Sequence, residues 1–195
     1  MAVDWPQLAL QTLRDPKAAG ARIMSWQIER NTLWMIAALV IACSTFVSYA
    51  SHLITPVPEP YGSLVEQPLR LFAIMTGVFL VSVYMLFWVG RSLGGTGEMD
   101  DLLALLVWLQ ILRAFAQVII LVTVLVAPFL AAFLVLFILI ATLWIFLNFT
   151  SVGLQLNSLT RATMVCLVTL FAIVFVIALI GPMVGLNPLG VPANV

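Results

Sequence analysis

The apolar run from Leu102 to Phe149, broken near its middle by Pro128, constrains this chain more than any other feature. As one straight helix it would reach about 72 Å. A bilayer core is only about 30 Å thick. The run must therefore cross, turn and cross back. Pro128 is the natural turn, because it cannot donate an i→i−4 bond and drives Ala127 out of the helical region. A hairpin of this kind belongs to a polytopic membrane protein.

Composition agrees. Hydrophobic residues make up 64% of the chain and charged residues 8%, an excess that a soluble fold of this length could not bury. The zero net charge argues against nucleic acid and against a strongly charged partner. Cys43 and Cys166 both lie inside apolar runs with no C-x-x-C spacing, so they read as small packing residues rather than a zinc site or disulfide framework. The start does not read as a signal peptide: Asp4 and Pro6 come early, and Arg14, Asp15 and Lys17 break any apolar core. The first span is then expected to act as its own insertion signal.

Three regions follow from the pattern: a cytoplasmic segment over 1–31, a membrane domain over 32–182 and a short periplasmic tail over 183–195. In the first, Asp15-Pro16 reads as the N-cap and first position of a helix running through KAAGARIMSWQIE, with Ala19, Ile23 and Trp26 at helical spacing. Leu8, Leu10 and Leu13 mark another apolar face upstream. Such a segment either lies on the membrane surface or simply extends the first span. Five apolar segments follow, at about 33–53, 69–89, 102–126, 129–149 and 162–180, each long enough to cross. No alternation of period two supports barrel strands. The fold class is thus all-α, a polytopic integral membrane protein with five transmembrane helices and a tight helical hairpin between spans three and four.

Orientation follows from the basic residues. Arg14, Lys17, Arg22, Arg30, Arg91 and Arg161 fall on the amino-terminal side, while Arg70 alone lies near a span end on the other. This bias places the amino terminus in the cytoplasm and, with five spans, the carboxyl terminus outside. The sequon Asn148-Phe149-Thr150 falls at the cytoplasmic end of its span and is set aside.

One costly feature stands inside the spans. Gln110, Arg113 and Gln117 recur at i, i+3 and i+7, within about 60° of one another on a helical wheel. If the helix starts at Asp101, Arg113 lies about 18 Å below it, near the midplane. A guanidinium at that depth costs about 3 kcal/mol on insertion scales. The functional reading is a polar seam contacting a lipid headgroup, a protein partner or a substrate. The plain reading is that the span starts lower, Arg113 snorkels and the glutamines pack helix to helix.

Other polar residues read plainly. His52 is an interfacial residue with no metal-ligand spacing, and Glu98, Asp100 and Asp101 read as helix capping. Gly94, Gly95 and Gly97 lack the G-K-[ST] ending of a phosphate loop. Ala38 with Ala42 and Ser44 with Ser48 permit close helix packing, within one chain or between copies. With no G-x-S-x-G, no H-E-x-x-H and no intramembrane aspartate pair, the chain is expected to be non-enzymatic and to need no cofactor.

A resemblance adds to this. The stretch GRSLGGTGEMDDLLALLVWLQ, the long span after it, Ala127-Pro128, the span ending LWIFLNFTSVGLQLNSLTRA and the lead-in TLRDPKAAGARIMSW together resemble the bacterial branch of the Yip family. The similarity covers roughly residues 10–181 and rests on arrangement and the glycine-rich loop. It implies a five-span helical domain with a cytoplasmic amino terminus. Eukaryotic members are non-enzymatic adaptors that bind Ypt and Rab GTPases, but this chain shows no counterpart of those motifs. The expectation is a multi-pass inner (plasma) membrane protein acting as an adaptor or accessory subunit. It would pack against lipids and other integral membrane proteins and could self-associate. The alternative is a small transporter or channel component using the Gln110–Arg113–Gln117 face.

Overall fold

In a computed structural model, residues 4–56, 58, 62–156 and 158–180 are described. The expected tail over 183–195 lies outside them, as do residues 57 and 59–61 between the first two apolar segments. The elements are α1 (Trp5–Arg14), α2 (Pro16–Met24), α3 (Arg30–Ile54), α4 (Gly62–Val65), α5 (Pro68–Ser92), α6 (Met99–Val126), α7 (Pro128–Gly153) and α8 (Leu159–Ile180). No strand occurs among the described residues. Among the described residues four helices, α3, α5, α6 and α7, are long and apolar enough to cross a membrane, while the apolar stretch Leu159–Phe175 of α8 is shorter.

The hairpin forms where the sequence places it. Pro128 takes the first position of α7, and Ala127 (φ −148°, ψ 77°) separates it from α6. The Ala127 amide closes α6 on the Thr123 carbonyl at 2.8 Å. Asp15 caps α2 by accepting from the Ala18 amide at 3.1 Å, as its pairing with Pro16 predicts. That helix is shorter than the sequence pattern: it ends at Met24, and Gln27 turns through φ 46°.

Helix packing closes a ring. α6 packs between α3 and α7, α3 packs on α5, α5 on α8, and α8 on α7. Apolar side chains lie on both faces of α7. Near its end it buries Asn148, Thr150, Ser151 and Gly153 together with Ile145 and Phe149, and it turns Phe129, Phe133, Leu136, Phe137 and Leu143 outward. This is the arrangement expected when the solvent is hydrocarbon: small and polar residues let helices approach, and large apolar ones meet lipid. On α3, Ser44 is buried and Ser48 half-buried, whereas Ala38 and Ala42 face outward.

The second and third turns of α6 depart from that pattern. Every residue from Leu102 to Trp108 is buried, because α2, α3 and α7 surround them and α1 is anchored there. The indole Nε1 of Trp108 donates to the Thr12 hydroxyl at 3.0 Å, and that hydroxyl donates to the Leu8 carbonyl at 2.8 Å. Trp5 stacks on Trp108 at 5.9 Å and meets Trp26 edge-on at 6.0 Å. Gly20 of α2 lets Leu105 and Phe149 come close.

The glycine-rich loop has a mechanical role. α5 ends in a two-bond cap: Gly94, at φ 89°, donates to the Arg91 carbonyl, and Gly95 donates to that of Gly90 at 2.8 Å. α7 ends the same way, with Gln155 at φ 52° in the glycine's place. The two caps clasp each other. The amides of Thr96 and Gly97 both donate to the Leu154 carbonyl, at 3.1 and 3.2 Å. That carbonyl is one of those a helix end leaves unpaired.

Candidate functional site

Arg113 follows directly on the buried turns of α6. Neither Gln110 nor Arg113 is exposed, and both line a cavity of about 530 Å³ bounded by α5, α6, α7 and α8. Its remaining wall is mostly apolar, including Ile74, Val78 and Ile173, with hydroxyls from Ser82, Thr142 and Thr169. Among the described residues no acidic side chain lines it. Arg113 and Thr142 also border a second, apolar groove of about 330 Å³ between α6 and α7, where α1 contributes Ala9 and Leu13. The guanidinium therefore stands on the wall between two spaces.

Its bonding is incomplete. The Nε atom of Arg113 is fully enclosed and has no hydrogen-bond partner among the described residues, and neither has Oε1 of Gln117. An enclosed donor without an acceptor costs roughly 1–3 kcal/mol, more for a charged group. Gln117 lies one turn beyond and does not line the α5–α8 cavity. Thus the structure brings Gln110 and Arg113 to one cavity and leaves Gln117 apart.

Thr169 joins them, and the sequence reading missed it. Its residue is buried and its hydroxyl is unpartnered. The omission has a reason: a threonine in an apolar helix ordinarily bonds to the carbonyl four residues back. Thr45, Thr123 and Thr163 do so here, and Ser82 does as well. Nothing in a sequence separates Thr169 from them.

The other polar candidates fall into structural roles. His52 Nε2 lies 3.8 Å from a Glu66 carboxylate oxygen. Glu98 takes the N-cap position of α6 without a side-chain capping bond, so the capping expectation holds only as charge placed in the first turn by Asp100 and Asp101. Asp100 accepts from Arg30 and ties the start of α3 to the start of α6. Cys43 and Cys166 are free thiols. Asn148 is buried and donates to the Trp144 carbonyl at 2.8 Å, which fits its removal from the glycosylation candidates. Among the described residues no cluster of His, Cys, Asp or Glu could hold a metal ion.

The Yip1 domain model matches residues 10–180. The chain belongs to the Yip1 domain family. The match runs from α1 to the last residue of α8, so it takes in the amino-terminal helices as well as the apolar ones. No curated protein and no solved structure matches the chain. The resemblance read from the glycine-rich loop and the hairpin is thereby shown at the level of the family, and this Yip-family chain is a helical membrane protein.

Proposed function

We propose that this protein is a non-enzymatic adaptor or accessory subunit of the bacterial inner membrane, packing against lipids and other integral membrane proteins. The observation that carries the reading is Arg113: half-buried, flanked by two cavities, and with its enclosed Nε lacking an acceptor among the described residues. A group so placed is complemented from outside the chain. The inner-membrane assignment rests on the resemblance to bacterial members. α8, with 22 residues, is read as the fifth span, since that length reaches about 33 Å. The starts of α3, α6 and α8 and the ends of α5 and α7 meet at one end of the bundle, beside α1 and α2. All six basic residues of the amino-terminal side belong there, which supports a cytoplasmic amino terminus. α1 turns Leu10 and Leu13 outward beside the apolar groove, a placement that suits the membrane surface.

The test is purification in native nanodiscs followed by mass spectrometry. A membrane protein recovered in stoichiometric amount, and lost in Arg113→Leu, supports the adaptor. The second reading, a small transporter component, draws on the α5–α8 cavity, whose volume is that of a small-molecule site. A monomer carrying a bound polar solute would favour it and would count against the adaptor.

A further inference from the structure

We propose that the cavity between α5, α6, α7 and α8 is a binding site for one anionic amphiphile, with its oxyanion head on Arg113 and its hydrocarbon chain along α5. The inference rests on the reading of Arg113 as a contact for something outside the chain, and names its chemistry.

Three observations converge. First, the charge is unbalanced: among the described residues Arg113 is the one charged residue lining the cavity. A guanidinium in apolar surroundings calls for an anion, and its planar fork suits phosphate or carboxylate oxygens. Second, two enclosed polar atoms of the lining are unsatisfied, Arg113 Nε and the Thr169 hydroxyl, and Gln110 adds an amide to the same wall. These are groups that an oxyanion can satisfy and a hydrocarbon cannot. Third, the shape is elongated. The α5 lining extends from Leu71 to Leu86, about 22 Å along the helix, and because α5 and α6 run antiparallel Arg113 lies near its middle, with about 10 Å of lining to either side. Most of it is apolar, including Ile74, Met75 and Val78. A compact polar solute would leave that length unfilled. A chain with a charged head fits both parts.

The same chemistry can come from a bilayer phospholipid or from a free fatty acid. The full-length protein is delipidated in mild detergent and titrated with phosphatidylglycerol, phosphatidylcholine, palmitate or inorganic phosphate. Adducts are counted by native mass spectrometry. One molecule per chain is expected, with phosphatidylglycerol or palmitate preferred over phosphatidylcholine by about tenfold or more. Whichever of the two binds tighter identifies the source. Arg113→Leu should weaken that binding about tenfold to a hundredfold, and Arg113→Lys should restore part of it. Val78→Trp keeps the charge and fills the cavity, so it should also abolish binding. Thr169→Val, a nearly isosteric change, should weaken it with no change in melting temperature. Equal uptake of the two phospholipids, unchanged binding in Val78→Trp, or inorganic phosphate binding as tightly as the amphiphiles would overturn the proposal. Recovery of no protein partner in the nanodisc experiment would leave all these outcomes unaffected, so the two readings can fail separately.

Discussion

Replacing Gly97 by alanine tests whether the loop between α5 and α6 is a clasp or a spacer. A Cβ at Gly97 would lie inside the contact distance of the Gly153 carbonyl oxygen and 2.7 Å from the Leu154 Cα. Both obstacles are backbone, so neither can rotate away. Overpacking of a rigid site costs about 1–3 kcal/mol. Moving the loop also lengthens the bonds from Thr96 and Gly97 to the Leu154 carbonyl, worth about 1 kcal/mol each. Together these come to about 3–5 kcal/mol, which lowers the melting temperature by on the order of 10 °C for a chain of this size. The matched control is Gly77→Ala in the middle of α5, where nothing lies within 4 Å of the added methyl. There alanine should gain roughly 1 kcal/mol of helix propensity. Fluorescence-detected gel filtration after heating, in one detergent, measures all three proteins. If Gly97→Ala and Gly77→Ala melt together, the clasp does not hold the helices and the loop is merely a connection.

Three further outcomes are expected. Thr12→Val should strand the buried Trp108 N–H at a cost of about 1–3 kcal/mol and loosen α1, so that trypsin cleaves faster at Arg14 and Lys17; unchanged cleavage would mean that the bond does not anchor α1. Reporter fusions should read cytoplasmic near Gly95 and periplasmic at residue 195, and the reverse pair would overturn the orientation drawn from the basic residues. In a cysteine-free background, single cysteines through 125–131 should react with an impermeant thiol reagent added from outside; silence there with labelling at deeper positions would misplace the turn.

The sequence made the hairpin, the Asp15-Pro16 cap and the apolar segments legible because each is a local signal. A proline or a capping aspartate acts within four residues of itself, and a long apolar run declares its solvent. Rotation of the helices was not legible. In water an apolar stripe marks the buried face, but in lipid both faces of α7 are apolar: Ile145 and Phe149 turn in while Phe137 and Leu143 turn out, and neither polarity nor size tells them apart in the sequence. Ala38 and Ala42 show the consequence: spaced for packing, they face outward on α3. The clasp was hidden for another reason. Gly97 meets Gly153 and Leu154 across the whole hairpin, and only the fold reveals that those glycines are needed for close approach rather than for a turn alone. Of the candidate site, Arg113 stood out by its cost, Gln110 and Gln117 by their spacing, and Thr169 not at all.

The length of α6 bears on how deep Arg113 lies. Its 28 residues reach about 42 Å, some 12 Å more than a bilayer core of about 30 Å. The surplus falls at one end or the other. At the start of the helix, Leu102 to Trp108 are covered by protein. Towards the other end Phe115, Ile119, Val122, Leu125 and Val126 are exposed and apolar, and need lipid as far as the last turn. The surplus therefore belongs at the start, among α1 and α2, and the core runs from about residue 107 to 126. Arg113 then lies about 9 Å below the amino-terminal boundary, shallower than a helix entering the bilayer at Asp101 would place it. At that depth a headgroup and the guanidinium can meet part-way, at a smaller cost than at the midplane. Spin labels on single cysteines at positions 115, 119, 122 and 125 should report the greatest depth at 115 and a boundary signal at 125. A label at 125 that reads as fully aqueous would move the core towards Met99, return Arg113 to the midplane and refute this placement.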